Sequence, residues 1–177
     1  MNLFIDSSNN YLIFVLFNDN EIIDRYTELT NRNQSEIFFE RLDSFLNKNK
    51  LKIKNINNFY FAKGPGSFTG IRVGLTFAKG LVVSHFKNVY VLSSLEILLD
   101  ETDHNYACID ARNNKYYVLE KKDGILLDEK IIVSENIDGK YHTYENSLEI
   151  IPENVFRLVK EKRYSQDLNP RYLKDAF

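Results

Sequence analysis

The chain has 177 residues, with 23 Lys and Arg against 25 Asp and Glu and a formal net charge of −2. This balance excludes a basic nucleic-acid-coating protein and an acidic disordered tail, while 44% hydrophobic and 14% aromatic residues supply a core for one domain or two small lobes. Cys108 is the only cysteine, which rules out an intrachain disulfide and fits a reducing, cytoplasmic setting; no run approaches the ~18 apolar residues of a membrane span.

Three strands open the chain. Asn2–Asp6, Tyr11–Phe17 and Glu21–Leu29 are rich in Ile, Phe, Leu and Val, and the polar runs Ser-Ser-Asn-Asn and Asn-Asp-Asn between them predict two hairpins. Between Ser35 and Lys50, Phe38, Phe39, Leu42, Phe45 and Leu46 fall at helical spacing behind Ser35 as N-cap, and Asn55–Ala62 then reads as a strand. A helix returning to a strand implies a parallel crossover. A sharp turn at Gly64–Gly66 leads into a second helix, about Thr69–Phe86, followed by a strand Val89–Leu92 and a helical run Ser94–Leu99. The pattern restarts near Glu101–Asn105, dividing the chain into lobes of 1–101 and 102–177. Strand candidates in the second are Tyr106–Asp110, Tyr116–Lys121, Ile125–Val133 and Tyr141–Glu149; an amphipathic helix Glu153–Lys162 follows Pro152, and Tyr164–Phe177 reads as an extended tail.

The glycines carry the strongest signal. Five of the seven (Gly64, Gly66, Gly70, Gly74 and Gly80) fall within 17 residues, although each glycine inside a helix costs about 1 kcal/mol relative to alanine. A strand, a glycine turn and a helix N-terminus suggest phosphate binding first. The spacing fits neither common version: no Lys follows Gly70 as a P-loop requires, and three residues rather than two separate Gly66 from Gly70. The second helix is apolar on more than one side. Ile71, Leu75, Ala78 and Val82 form one stripe and Val73, Phe77 and Leu81 another, so the helix covers its own sheet with one and is covered either by its own chain or by a second protein on the other.

The run GPGSFTGIRVGLTFAKGL is similar to the signature of the TsaB (YeaZ) family. The resemblance extends to Ile5-Asp6-Ser7-Ser8, to Ser35-Glu36, to Ile109-Asp110-Ala111-Arg112 and to Pro170-Arg171-Tyr172-Leu173-Lys174, and it is densest over Met1–Glu96. It implies an α/β fold of the actin-like ATPase type (ASKHA, ribonuclease H-like) in two lobes, the second one reduced. It also implies a non-catalytic subunit of the machinery that forms threonylcarbamoyladenosine beside the anticodon of tRNAs reading ANN codons. The implied partners are the transferase TsaD, bound as a heterodimer through the first and second helices, and the ATPase TsaE, with tRNA reached only through the complex and a homodimer competing for the same surface. On that reading Ile37, Arg41, Gly70, Arg72, Val73, Gly74, Phe77 and Leu81 make the partner interface, Arg72 at its rim with Lys79.

The resemblance assigns no catalytic residue, cofactor or metal to this chain. Asp6 stands where kinases and ATPases of this fold hold Mg²⁺, and an Asp there serves equally to end a strand and organise a hairpin. An ATPase or sugar-kinase-like phosphotransferase using Asp6 and the glycine turn is therefore the rival reading, with a homodimeric scaffold as a third. Asp110 with Arg112 reads as a structural strand-end pair. His85, His104 and His142 are isolated, Ser67 has no His nearby, and Cys108 lies in an apolar strand. Gln34 stands where many members of the family have a His. Lys160, Lys162, Arg163, Arg171 and Lys174 form a loose basic collection that reads as a solvated face and tail.

Overall fold

Alternating apolar side chains build a sheet that is buried on both faces. The computed structural model describes residues 1–30, 33–84, 88–99, 101, 104–133 and 141–171. The first sheet contains β1 (Asn2–Asp6), β2 (Tyr11–Phe17), β3 (Ile22–Leu29), β4 (Asn58–Ala62) and β5 (Val89–Leu92) in the order β3-β2-β1-β4-β5. β1, β2 and β3 are antiparallel, whereas β4 and β5 join β1 in parallel, as a helix crossover requires. Successive side chains point to opposite faces. Leu3, Ile5, Leu12, Phe14, Leu16, Phe59 and Phe61 enter one core, while Phe4, Ile13, Val15, Phe17, Tyr60 and Ala62 enter the other.

The first core is closed by two helices. α1 (Gln34–Lys48) contributes Phe38, Leu42, Phe45 and Leu46, and α2 (Phe68–Val83) contributes Ile71, Leu75, Ala78 and Leu81. Gln34, not Ser35, anchors the start of α1: it is buried and its Nε2 donates to the Asn9 carbonyl, leaving Ser35 exposed in the first turn. α2 is capped as the sequence suggests, with Ser67 Oγ accepting from Gly70 N at 3.3 Å. It ends at Val83; Phe86, where the predicted helix stopped, lies outside the described residues.

The second core joins the two lobes. β6 (His104–Arg112), β7 (Lys115–Lys122), β8 (Ile125–Leu126), β9 (Lys130–Val133) and β10 (Tyr141–His142) form a smaller sheet ordered β10-β6-β7-β8, with β9 also paired to β7. Ala107, Ile109 and Leu119 from this sheet meet Ile151, Val155 and Leu158 of α4 (Ile151–Lys160) and the second face of the first sheet. Phe156 of α4 packs edge-on to Phe17 at 6.0 Å. The predicted strand Ile125–Val133 is two short strands. The predicted strand Tyr141–Glu149 is strand only at its first two residues, because Thr143 and Asn146 form a capping box that starts α3 (Tyr144–Ser147). Ser94–Leu99 winds only as a 3₁₀ turn over Glu96–Leu98.

The tail returns to the first lobe. Tyr164 packs edge-on to Tyr60 and tilted against Tyr90, Ser165 and Val91 exchange backbone hydrogen bonds of 2.8 and 3.1 Å, and Arg171 N donates to the Lys63 carbonyl. Tyr172, Leu173 and Lys174 lie outside the described residues.

Candidate partner-binding face

The glycines of the turn and of the start of α2 face their own chain. A Cβ on Gly66 would stand 2.2 Å from the Ser8 carbonyl oxygen, one on Gly70 1.9 Å from that of Ser7, and one on Gly74 3.0 Å from Ser7 Oγ. Only glycine lets the turn between β1 and β2 come this close. Ser67 N donates to the Ser8 carbonyl at 2.6 Å and Ser7 Oγ donates to the Gly70 carbonyl at 2.8 Å, which lock the two segments together. Two expectations are corrected here. The turn gives the N–H of Ser67 to the Ser8 carbonyl, and Gly70 and Gly74, read as interface positions, are buried against Ser7 of their own chain.

Leu81 is a further correction. It lies two turns beyond Gly74 on the same side of α2 and is only 4% exposed, within the first core. Val82, read as part of the buried stripe, lies on the same side as Ile71 and Leu75 but is exposed in the last turn of α2. Val73 and Phe77 are half-buried on the flank of α2 next to α1. The Phe77 ring packs against Phe38 and Phe39, each at 5.6 Å, and against Phe61 at 6.0 Å.

Phe39 is the residue that sequence reasoning misplaced. Adjacent positions on a helix point about 100° apart, and of this pair only one enters the core. Phe38 does; Phe39 stands outside, 62% exposed, edge-on to Phe38 and Phe77. Val83, at the end of α2, is 78% exposed. Phe39, Val73, Phe77 and Val83 thus line the outer side of the two helices. Ile37 is half-buried against the first core. Arg41 turns toward β3, where its Nε donates to Glu28 at 2.7 Å. This bond holds the Glu28 carboxyl below the usual range and keeps the Arg41 charge on, while burial and the bond to Glu28 push the Tyr26 hydroxyl up to about 12. Arg72 lies over the Phe68 ring at 3.7 Å, both exposed.

Asp6 occupies the junction of the lobes. Its carboxylate is fully buried and accepts from Ser8 N at 2.7 Å and from the Tyr144 hydroxyl at 2.6 Å. Ser8 Oγ lies 3.0 Å from Ser94 Oγ, and Ser94 Oγ accepts from Gly64 N at 3.1 Å, so the hairpin, the glycine turn and the second lobe meet in one polar cluster. Burial drives the Asp6 pKa up, against the bonds from Tyr144 and Ser8. Asp110 organises its own turn by accepting from Arg112 N at 2.7 Å. Burial pushes the Cys108 thiol up to about 11, which keeps it a thiol. His142 is buried, with Nδ1 3.2 Å from Ser147 Oγ; His85 lies outside the described residues.

Three of the basic residues near the C-terminus are engaged internally, whereas Lys162 is exposed. Arg163 pairs with Glu96 at 2.6 Å, Lys160 donates to the Asp19 carbonyl and Arg171 pairs with Glu129 at 3.0 Å. Among the described residues no helix is long and apolar enough to cross a membrane.

Comparison with known proteins places this architecture. The family model described as TsaD, tRNA N6-adenosine threonylcarbamoyltransferase, matches residues 20–163, a span that includes both α1 and α2. The chain is 32% identical over 141 residues to the tRNA threonylcarbamoyladenosine biosynthesis protein TsaB of Bacillus subtilis, covering 76% of this chain and 61% of that protein. It is 31% identical to the MG208 homolog of Mycoplasma pneumoniae, over 98% of this chain and 94% of the other. Its match to the Haemophilus influenzae TsaB spans about half of that protein, at 52%. YeaZ from Pseudomonas aeruginosa superposes with a TM-score of 0.76 at 16% identity, over 97% of this chain and 99% of that one, and the shared fold is the actin-like α/β arrangement. The chain belongs to the family that the TsaD model defines and, within it, to the TsaB (YeaZ) group.

Proposed function

We propose that this chain is the non-catalytic partner of a TsaD-type threonylcarbamoyltransferase in the formation of threonylcarbamoyladenosine on tRNA, and that it docks through α1 and α2. The observation that carries the reading is the outer side of this helix pair, where Phe39 and Val83 are exposed and Val73 and Phe77 half-exposed, on elements whose inner sides are already used to cover the sheet. An exposed apolar flank of this kind, on helices that also expose Glu36, Glu40, Arg72 and Lys79, suits protein association. The commitment of Asp6 to Ser8 and Tyr144, and of the glycine turn to the β1–β2 hairpin, supports a role outside the chemical step.

Co-expression with TsaD from the same organism tests the reading. The double variant Phe39→Asp, Val83→Asp is expected to lose TsaD on co-purification and to lose threonylcarbamoyladenosine formation, with an unchanged circular dichroism spectrum. Retention of TsaD by the double variant refutes the docking face. Turnover of ATP by the chain alone would instead favour the phosphotransferase reading.

A further inference from the structure

Charge is distributed unevenly along a chain whose net charge is only −2. From Ser44 to Leu95 the sequence holds seven Lys and one Arg but no Asp or Glu, so all 25 acids lie outside this stretch. A local excess of positive charge attracts a polyanion even where the whole-chain balance is slightly negative. Half of these cations fall in one short run between α1 and β4, where Lys48, Lys50, Lys52 and Lys54 alternate with Asn49, Leu51 and Ile53.

Burial sorts the two sets of side chains. Leu51 and Ile53 pack against the first core, whereas all four lysines are exposed. Leu51 N donates to the Leu46 carbonyl at 2.9 Å and Lys52 N to Asn55 Oδ1 at 2.8 Å, so the backbone of the run is fixed while the lysines stand outside. Lys48 pairs with Asp24 at 2.7 Å; among the described residues no ion pair engages Lys50, Lys52 or Lys54, in contrast to Lys160, Arg163 and Arg171. The run lies at the end of the first sheet where β1 and β4 begin, since Asn57 N donates to the Met1 carbonyl at 2.7 Å and the two strands are parallel. Asp19 and Glu21, in the β2–β3 turn, are at the same end but on the far side of β1.

Resting on the tRNA-modifying function proposed above, we infer that Lys50, Lys52 and Lys54 form a phosphate-binding patch by which this chain itself holds the tRNA backbone. Contacts of this kind fix a nucleic acid in place without reading its sequence. RNA is favoured over a lipid surface because the apolar residues between the lysines are turned into the core, which leaves no anchor for a bilayer. The run follows the last turn of α1, about two and a half turns beyond Phe39, so a docked partner and a bound tRNA can be held at once.

Fluorescence anisotropy of labelled tRNA, measured from about 50 to 200 mM salt with the full chain alone and with its TsaD complex, tests the patch. The triple variant Lys50→Gln, Lys52→Gln, Lys54→Gln is expected to reduce the slope of log affinity against log salt by about 2–3 and to weaken tRNA binding roughly tenfold or more at about 0.1 M salt. Its melting temperature and its co-purification with TsaD are expected to be unchanged. The matching triple Arg variant, and Lys162→Gln elsewhere on the surface, are expected to bind tRNA as the wild type does. An unchanged slope in the Gln variant overturns the inference, as does an equal loss in the Arg variant or loss of TsaD by the Gln variant. Binding to phosphatidylserine vesicles that the Gln variant loses, with its tRNA affinity unaffected, would assign the patch to a membrane and overturn it as well. If the wild type fails to hold TsaD while the chain alone shows the expected loss of slope, the docking function falls and the patch stands.

Discussion

At the residue scale, the buried carboxylate of Asp6 is the most consequential feature. An acid at the end of the first strand is visible in the sequence, but not that Tyr144, 138 positions later, would supply its donor. Local pattern cannot reveal a bond between the first strand and a four-residue helix in the other lobe. Because burial raises the folded-state pKa of Asp6 above its unfolded value, the folded chain holds this proton more tightly. Its contribution therefore favours folding at low pH and is lost as pH rises through the folded pKa. Asp6→Asn, which keeps an acceptor and removes the charge, is expected to flatten the fall in stability as pH rises above the ordinary carboxyl value of 3.8, without lowering the melting temperature at pH 7. Tyr144→Phe removes the donor to Asp6 Oδ2 while Ser8 N still serves Oδ1, and is expected to cost about 1–3 kcal/mol. Thermal melts across pH check both; an unchanged profile in Asp6→Asn contradicts the assignment.

At the element scale, the strands of the first sheet were legible because alternation and apolar content agree, and the two helices because their spacing repeats. The phase of each helix was less legible. Val73 and Phe77 lie on the flank as read, but Leu81 turns inward and Phe39 outward, because α1 and α2 lean on each other as well as on the sheet. The two aromatics that meet between them now divide in role. Phe77→Ala removes a ring packed on Phe38, Phe59 and Phe61 and is expected to destabilise the chain by roughly 2–3 kcal/mol, below the 3–5 kcal/mol of a fully buried Phe. Phe39→Ala is expected to stay within about 0.5 kcal/mol of wild type. Urea titration separates them, and equal losses would mean that Phe39 belongs to the core. In the second lobe, Tyr141–Glu149 differs from the strand expected because Tyr and Thr favour strand locally, whereas the Thr143–Asn146 cap starts a helix.

At the scale of the whole molecule, the two lobes share a core that neither has alone. Phe4, Phe17 and Tyr60 from the first pack with Ile151, Val155 and Leu158 from the second, while the tail from Tyr164 to Arg171 runs back to β5 and the glycine turn. The glycine cluster was legible as a demand for close approach, yet its object was not, since the sequence does not say which backbone comes near. Three of the glycines answer to the β1–β2 hairpin, and the outer side of α1 and α2 keeps Phe39 and Val83 exposed. The most direct measurement is photo-crosslinking in the presence of TsaD, with benzoylphenylalanine placed at Phe39 in one variant and at Leu127, exposed on the second lobe, in another. Efficient crosslinking to TsaD from position 39 and none from position 127 is the predicted result; crosslinking from position 127 with none from position 39 would contradict the docking face.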